Sequence, residues 1–97
     1  MFVRIFKVRV DPSFRAEIER IEDEVCAWYV PAAGCLHVHF FGDPATGWYG
    51  NVAVWESRAA IDALAARPEL ATVVARLKPL LLEPPITEIY PVYVPKP

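Results

Sequence analysis

Residues 52–64, VAVWESRAAIDAL, contain the end of a predicted strand and the start of a predicted helix. The β-branched and aromatic residues up to Trp55 are typical of a strand. Ser57 can accept hydrogen bonds from the free amides at a helix start, and strong helix formers follow it. Asn51 lies four residues before Trp55, so both side chains should point to one face of a sheet. This stretch therefore predicts a strand, a tight connection and a helix, with a polar and an aromatic group on one face.

The residues at the start of the chain predict another strand and helix. Residues 2–10, FVRIFKVRV, combine β-branched, aromatic and charged residues as a strand does. Asp11 and Pro12 favour a helix start, because Asp caps free amides and Pro suits the first helical position. Apolar residues then follow at helical spacing: Phe14, Ile18, Ile21, Val25 and Trp28. Pro31 and Gly34 should end this region.

The remaining residues predict a hairpin, a broken helix and a last strand. Residues 35–42 and 48–55 read as strands joined by a short turn, which makes them antiparallel neighbours. Both faces of the first are largely apolar, so we expect it to be covered on both sides. The helix after Ser57 is interrupted before Pro68 and then resumes. Residues 86–94 read as a fourth strand, and a proline within it, Pro91, favours an edge position.

The order of elements predicts the fold class. It is β-α-β-β-α-β, the ferredoxin-like arrangement, with one antiparallel four-stranded sheet and helices on one of its faces. The chain has 97 residues, 55% of them hydrophobic, which suits a single domain over residues 1–97. A second copy laying its own sheet on the uncovered face would bury that face, so we expect a homodimer.

Composition excludes several classes of partner. The net charge is −2 and no basic cluster occurs, which argues against nucleic acid. No apolar run approaches the roughly 20 residues that span a bilayer, and no targeting segment is evident. Cys26 and Cys35 lack the spacing of a metal site and are too few for a disulfide framework. We therefore expect a cytoplasmic protein with reduced, buried thiols and no membrane association.

Three segments together resemble the antibiotic biosynthesis monooxygenase family: VAVWES with its helix, the Pro-interrupted second helix, and LLLEPPITEIYPV. The likeness covers residues 2–94. It implies a dimeric α/β barrel in which two sheets face each other and each subunit has a cavity between sheet and helices. The family includes cofactor-free oxygenases of quinol-like and anthrone-like aromatics as well as haem-degrading enzymes. The haem branch has a His and a Trp where this chain has Val74 and Leu64, so we do not expect haem.

The resemblance also implies site residues. The cofactor-free oxygenases carry an Asn and a Trp four residues apart on the third strand, which Asn51 and Trp55 match. These two side chains would hold a substrate oxygen, with no metal, flavin or other cofactor needed. An arginine about twenty residues after the Trp has its counterpart in Arg76, a predicted substrate-binding residue. The tyrosine that follows the Trp by six residues in that group is Ile61 here.

Other candidate residues follow from the sequence pattern. His37 and His39 share a strand face, about 7 Å apart, and a histidine can remove a phenolic or C–H proton at neutral pH. We assign them as candidate catalytic bases rather than metal ligands, since no third ligand has suitable spacing. Trp48 and Tyr49 could line a flat pocket for a planar ligand. Arg4 and Arg9 lie on opposite faces of the first strand, and one of them could pair with a ligand anion or with Glu88.

The predicted function is a cofactor-independent monooxygenase that acts on a small quinol-like or polyketide-like aromatic. A dimeric barrel that only binds a small ligand is one alternative, and an oxygen-independent isomerase or lyase is another. Structural roles for the same residues also stay open. Trp55 could serve only the core, Asn51 could be satisfied by a neighbouring loop, and the histidines could be hydrogen-bonded and partly buried.

Overall fold

Seven main elements make up the fold of the computed structural model, which describes residues 1–29 and 32–97. They are β1 (Phe2–Arg9), α1 (Arg15–Tyr29), β2 (Cys35–Asp43), β3 (Trp48–Trp55), α2 (Arg58–Ala65), α3 (Pro68–Leu77) and β4 (Ile86–Pro91). Short 3-10 helices at Pro12–Phe14 and Lys78–Leu80 precede α1 and follow α3. The predicted order, with its second helix broken in two, is confirmed.

The four strands form one antiparallel sheet in the order β2-β3-β1-β4. This is the ferredoxin-like arrangement that the sequence predicts. β4 is an edge strand, as Pro91 indicated. It ends at Pro91 rather than at residue 94, because its neighbour β1 begins at Phe2, which pairs with Pro91. Beyond that pair the first strand offers no further ladder, and only the Val92 amide still donates, to the Met1 carbonyl.

The helix starts follow from their capping residues. The Asp11 carboxylate accepts hydrogen bonds from the Ser13 amide at 3.0 Å and the Ser13 hydroxyl at 2.8 Å. The Ser57 hydroxyl accepts one from the Ala60 amide at 3.2 Å and starts α2. Pro68 occupies the first turn of α3, where its missing N–H is not needed. These caps fix where each helix leaves the sheet.

One face of the sheet packs against the helices and holds the core. Of the predicted apolar stripe on α1, Ile18, Ile21 and Val25 are buried, and Tyr29 extends it. The side chain of Trp28 and the whole of Pro31 lie outside the described residues. From the sheet, Val8, Ala53 and Trp55 join this core. Every second residue of each strand therefore points to the helices.

The other face of the sheet is not covered by the chain itself. It carries Phe41, Val52 and Tyr90, which are 38%, 36% and 49% exposed. The expectation that β2 is covered on both sides is wrong for the single chain, because all the helices lie on one face. The predicted homodimer would supply the missing layer and stays a prediction.

Candidate active site

A small cavity of about 40 Å³ lies between the helix-covered face of the sheet and helices α1 and α3. Its wall is mostly apolar: Phe6, Val8, Ile18, Ile21, Val25, Phe40, Leu70, Val73, Val74 and Leu77. Four polar side chains also reach it: Arg4, Glu22, Tyr29 and Asn51. A water needs roughly 10–15 Å³ of such space, so this conformation has room for only a few waters. An apolar cavity with a few convergent polar groups is typical of a small-molecule site.

Asn51 lies in the middle of β3, paired with Phe6 on one side and Phe40 on the other. The residue is only 4% exposed, and its Oδ1 has no hydrogen-bond partner among the described residues. No neighbouring loop in the described part of the chain satisfies this oxygen. An unpaired buried acceptor costs about 1–3 kcal/mol. This oxygen is therefore available to a hydrogen-bond donor in the cavity.

Glu22 extends from α1 to the same cavity, and sequence reasoning missed it. Its Oε2 is buried with no hydrogen-bond partner in the described part of the chain. Burial, together with the neighbouring Asp23 carboxylate, raises the pKa of Glu22 from 4.5 to about 8. A carboxyl group with such a pKa exchanges protons near neutral pH, as general acids and bases do. Glu22 follows Ile18 by one helical turn, a spacing that could have marked it as inward-facing.

Arg4 lies deep in the sheet, on β1, and is 8% exposed. Its Nη1–H donates to the Tyr29 hydroxyl at 3.4 Å, and its guanidinium carbon sits 5.4 Å from the centre of the Phe6 ring. The predicted alternative partner, Glu88, lies on the opposite face and accepts a hydrogen bond from Tyr90. Arg4 therefore faces the cavity and not Glu88.

Trp55 is on the same sheet face as Asn51, as the spacing predicted, and is fully buried. Its ring meets Tyr29 edge-on, with centroids 5.6 Å apart and planes inclined by 65°. The indole does not form part of the cavity wall and reaches it only through Tyr29. Its position supports a packing role that holds Tyr29 in place.

His37 and His39 do not meet Asn51. They pair with Val54 and Val52, which alternate with Asn51 along β3, and both are exposed on the uncovered face. The histidines therefore do not share a site with Asn51 and Trp55 as the sequence predicted, since the sheet separates the two pairs. Val38 and Phe40 take the inward positions of β2 instead.

The three predicted substrate-binding residues lie at three different places outside the cavity wall. Trp48 is on the uncovered face, where the Lys7 ammonium sits 5.0 Å from its ring centre. Tyr49 faces the helices, but its hydroxyl donates to the Glu19 carboxylate at 2.9 Å. Arg76 forms an ion pair with Glu24 on the outer surface and so joins α3 to α1. None of the three borders this cavity, although Tyr49 borders an outer cleft beside it.

Metal and membrane features are absent from the part of the chain that the structure describes. No three His, Cys, Asp or Glu side chains there are grouped so that they could hold a metal ion. No helix among those residues is long and apolar enough to cross a bilayer. Cys26 and Cys35 are both free thiols, but each is partly exposed rather than buried as the sequence predicted.

The chain has the fold of several solved structures named as antibiotic biosynthesis monooxygenases. A candidate member from Deinococcus radiodurans is 15% identical, with a TM-score of 0.88 over 100% of this chain and 97% of that one. Another candidate, from Caulobacter crescentus, is 18% identical, with a TM-score of 0.84 over 96% and 90% of the two chains. The predicted resemblance is thus confirmed at the level of the fold.

A structure with a bound ligand has the same fold. The ActVA-Orf6 monooxygenase of Streptomyces coelicolor, in complex with nanaomycin D, is 25% identical to this chain. The TM-score is 0.75 over 99% of this chain and 91% of that one. No family model and no curated protein matches the chain. The comparisons therefore define the fold class alone.

Glu22 should make the stability of the protein depend on pH. Its pKa is raised in the folded state, so between pH 4.5 and 8 the folded chain holds a proton that the unfolded chain has lost. Stability should therefore fall as pH rises through this window. Allowing for partial exposure, we expect a loss of about 2 kcal/mol. Urea unfolding followed from pH 5 to 9 would measure it.

Glu22→Gln should remove most of this loss and should be more stable than the parent at pH 9. Glu24→Gln is the matched control, because Glu24 is an exposed residue of the same helix and its pKa is lowered by Arg76. If the free energy of unfolding fell equally with pH in the parent and in Glu22→Gln, Glu22 would not be a buried neutral acid.

Proposed function

We propose that the protein is a cofactor-independent monooxygenase that acts on a small quinol-like or polyketide-like aromatic bound in the cavity. One observation carries the proposal: Asn51 Oδ1 and Glu22 Oε2, two buried oxygens without partners among the described residues, border the same apolar cavity. One belongs to an amide that can orient a substrate hydroxyl, and the other to a carboxyl group with a pKa near 8. The shared fold with the nanaomycin D complex supports an aromatic ligand.

The chemistry assigns one role to each side chain. Glu22, as the carboxylate, removes a proton from an activated CH₂ group or a phenol of the substrate. The Asn51 amide holds the substrate oxygen where negative charge develops, and the apolar wall strengthens that interaction. The resulting carbanion or phenolate is electron-rich enough to reduce dioxygen directly.

Electrons and atoms balance without another reductant. The substrate anion passes one electron to dioxygen, and the two radicals combine into a carbon-bound peroxide. The peroxide O–O bond then breaks, with Glu22 returning the proton to the departing oxygen. For an activated CH₂ group, the remaining C–H bond breaks as the C=O group forms, and its proton joins the departing hydroxide, so the second oxygen leaves as water. One atom of dioxygen is therefore kept in the product.

Ligand binding requires the cavity to enlarge. Sites for such ligands usually measure about 300–1,000 Å³, well above the 40 Å³ of this conformation. An outer cleft of about 320 Å³ lies alongside, and Glu22 and Phe40 border both spaces. Rotation of Phe40 with an outward shift of α1 would join cleft and cavity. We infer that the substrate reaches Asn51 by this route.

The homodimer belongs to the same proposal. The uncovered sheet face exposes Phe41, Val52 and Tyr90, and a second copy would bury them. A sheet packed face to face against its copy also gives the dimeric barrel that the resemblance implies. The helices and the cavity would stay on the outside of each subunit, so each copy would keep its own site.

Oxygen uptake by metal-stripped protein with hydroquinones and anthrones tests the proposal. We expect protein-dependent uptake and one ¹⁸O atom from ¹⁸O₂ in the product. Asn51→Leu should lower turnover at least about tenfold, because it removes the group that orients the substrate. Val52→Ala is the matched control: it is the next residue along β3, but its side chain points to the uncovered face.

Two outcomes would contradict this function. Saturable dye binding without any oxygen uptake would leave a binding protein. Conversion of a substrate in the absence of oxygen would support the isomerase or lyase alternative. Catalase and protein-free controls separate enzymatic uptake from autoxidation.

A further inference from the structure

Among the described residues, no negative charge compensates the positive charge of Arg4. Arg4 is 8% exposed, yet no carboxylate lies within 4 Å of its guanidinium in the part of the chain described. In the described part of the chain its side chain donates one hydrogen bond, to the Tyr29 hydroxyl, and the Phe6 ring lies beside it. Arginine has five N–H donors, so most of them are left for a partner at the cavity.

The neighbouring titratable groups do not supply that charge. Burial raises the pKa of Tyr29, more than the nearby Arg4 opposes it, so the phenol stays neutral. Glu22 also borders the cavity, but burial and Asp23 hold it largely protonated at pH 7, with no contribution from Arg4. Glu88 points to the other face of the sheet. A buried cation without such a partner is costly to the fold.

We propose that the ligand of this cavity carries a carboxylate that pairs with Arg4, at a distance from the group held by Asn51. A carboxylate matches the planar fork of a guanidinium and can accept two parallel hydrogen bonds. It also brings one negative charge for one positive charge, whereas a phosphate dianion would leave an excess charge among apolar side chains. The assignment rests on the proposed function only in that the same cavity is the substrate site.

Binding of a matched pair of ligands tests this assignment without any turnover. 2-Naphthoate and 2-naphthamide have the same shape and are inert to oxygen, so a failure of the oxygenase proposal would not affect the result. Any free energy needed to enlarge the cavity lowers the affinity for both ligands equally. We expect calorimetry at pH 7 to give a Kd for the acid at least about tenfold lower than for the amide.

Variants identify Arg4 as the source of this preference. Arg4→Met should raise the Kd for the acid at least about tenfold and leave the Kd for the amide nearly unchanged. Arg4→Lys should restore part of the difference between the two ligands. Arg9→Met is the matched control on the same strand, since Arg9 lies on the uncovered face beside Glu83. Circular dichroism checks that each variant is folded.

Three results would overturn the assignment. One is an equal Kd of the parent for acid and amide. Another is equal weakening of both ligands by Arg4→Met. The last is the absence of saturable binding by the acid. If Arg4→Met does not fold, Arg4→Lys still tests the assignment. A preference for the acid over the amide that is equally large in the parent and in Arg4→Lys would contradict a bidentate pair between Arg4 and the carboxylate.

Discussion

Glu22→Gln is expected to lower the kcat of oxygen uptake at least about 100-fold, the usual contribution of a positioned general base. Glutamine keeps the size and polarity of the side chain and loses only the ability to take a proton. The protein should stay folded, because the neutral amide resembles the protonated acid that burial favours. The loss would therefore report on chemistry and not on stability.

The pH profile gives this prediction a second measurement. A base acts in its deprotonated form, so kcat/KM of the parent should rise with pH and level off above the Glu22 pKa of about 8. The residual activity of Glu22→Gln should lack that inflection. Glu24→Gln, on the exposed side of the same helix, should keep the parent profile. A profile unchanged in Glu22→Gln but altered in His39→Ala would transfer the role of base to the histidine.

The fold was predictable because each of its elements carries a local signal. Residues 52–64 show the strand end, the Ser57 cap and the helix in order, and the structure has all three. Pro68 separates α2 from α3, and Pro91 marks an edge strand, as their missing N–H groups require. The extent of β4 was less predictable, because it depends on where its neighbour β1 begins.

The site was only half predictable, for a physical reason. Alternation along a strand tells which side chains share a face, and it correctly pairs Asn51 with Trp55 and His37 with His39. It does not tell which face the helices cover. On β2 both faces are largely apolar, so composition gave no preference, and the histidines proved to lie opposite the cavity.

The structure adds Glu22 to the site and shows that Arg4, rather than Arg9, faces the cavity. Glu22 is a glutamate on a helix whose other acidic residues, such as Glu17 and Glu24, are exposed. Arg4 stands in a strand that also carries Lys7 and Arg9 on the uncovered face. Charged residues are normally on the surface, so sequence alone favours an exposed position for both Glu22 and Arg4. Only the packing of α1 on the sheet shows that these two are turned inward.

Trp55→Ala is expected to lower the free energy of unfolding by about 3–5 kcal/mol, the range for removing a large aromatic side chain from a packed core. The indole is fully buried and holds Tyr29 edge-on at 5.6 Å. A domain of this size has about 5–15 kcal/mol of stability in total. The variant should therefore be only marginally folded, which urea unfolding would show.

Trp48→Ala is the matched control, since it removes the same side chain from the other end of β3. Trp48 is half-buried on the uncovered face and contacts Lys7, so we expect a loss of only about 1 kcal/mol. Trp55→Phe should keep most of the stability and, because Tyr29 then still has an aromatic neighbour, most of the ligand affinity. Loss of ligand binding in a stably folded Trp55→Phe would instead show that the indole contacts the ligand itself. In that case the cavity must open beyond Tyr29 when the substrate binds.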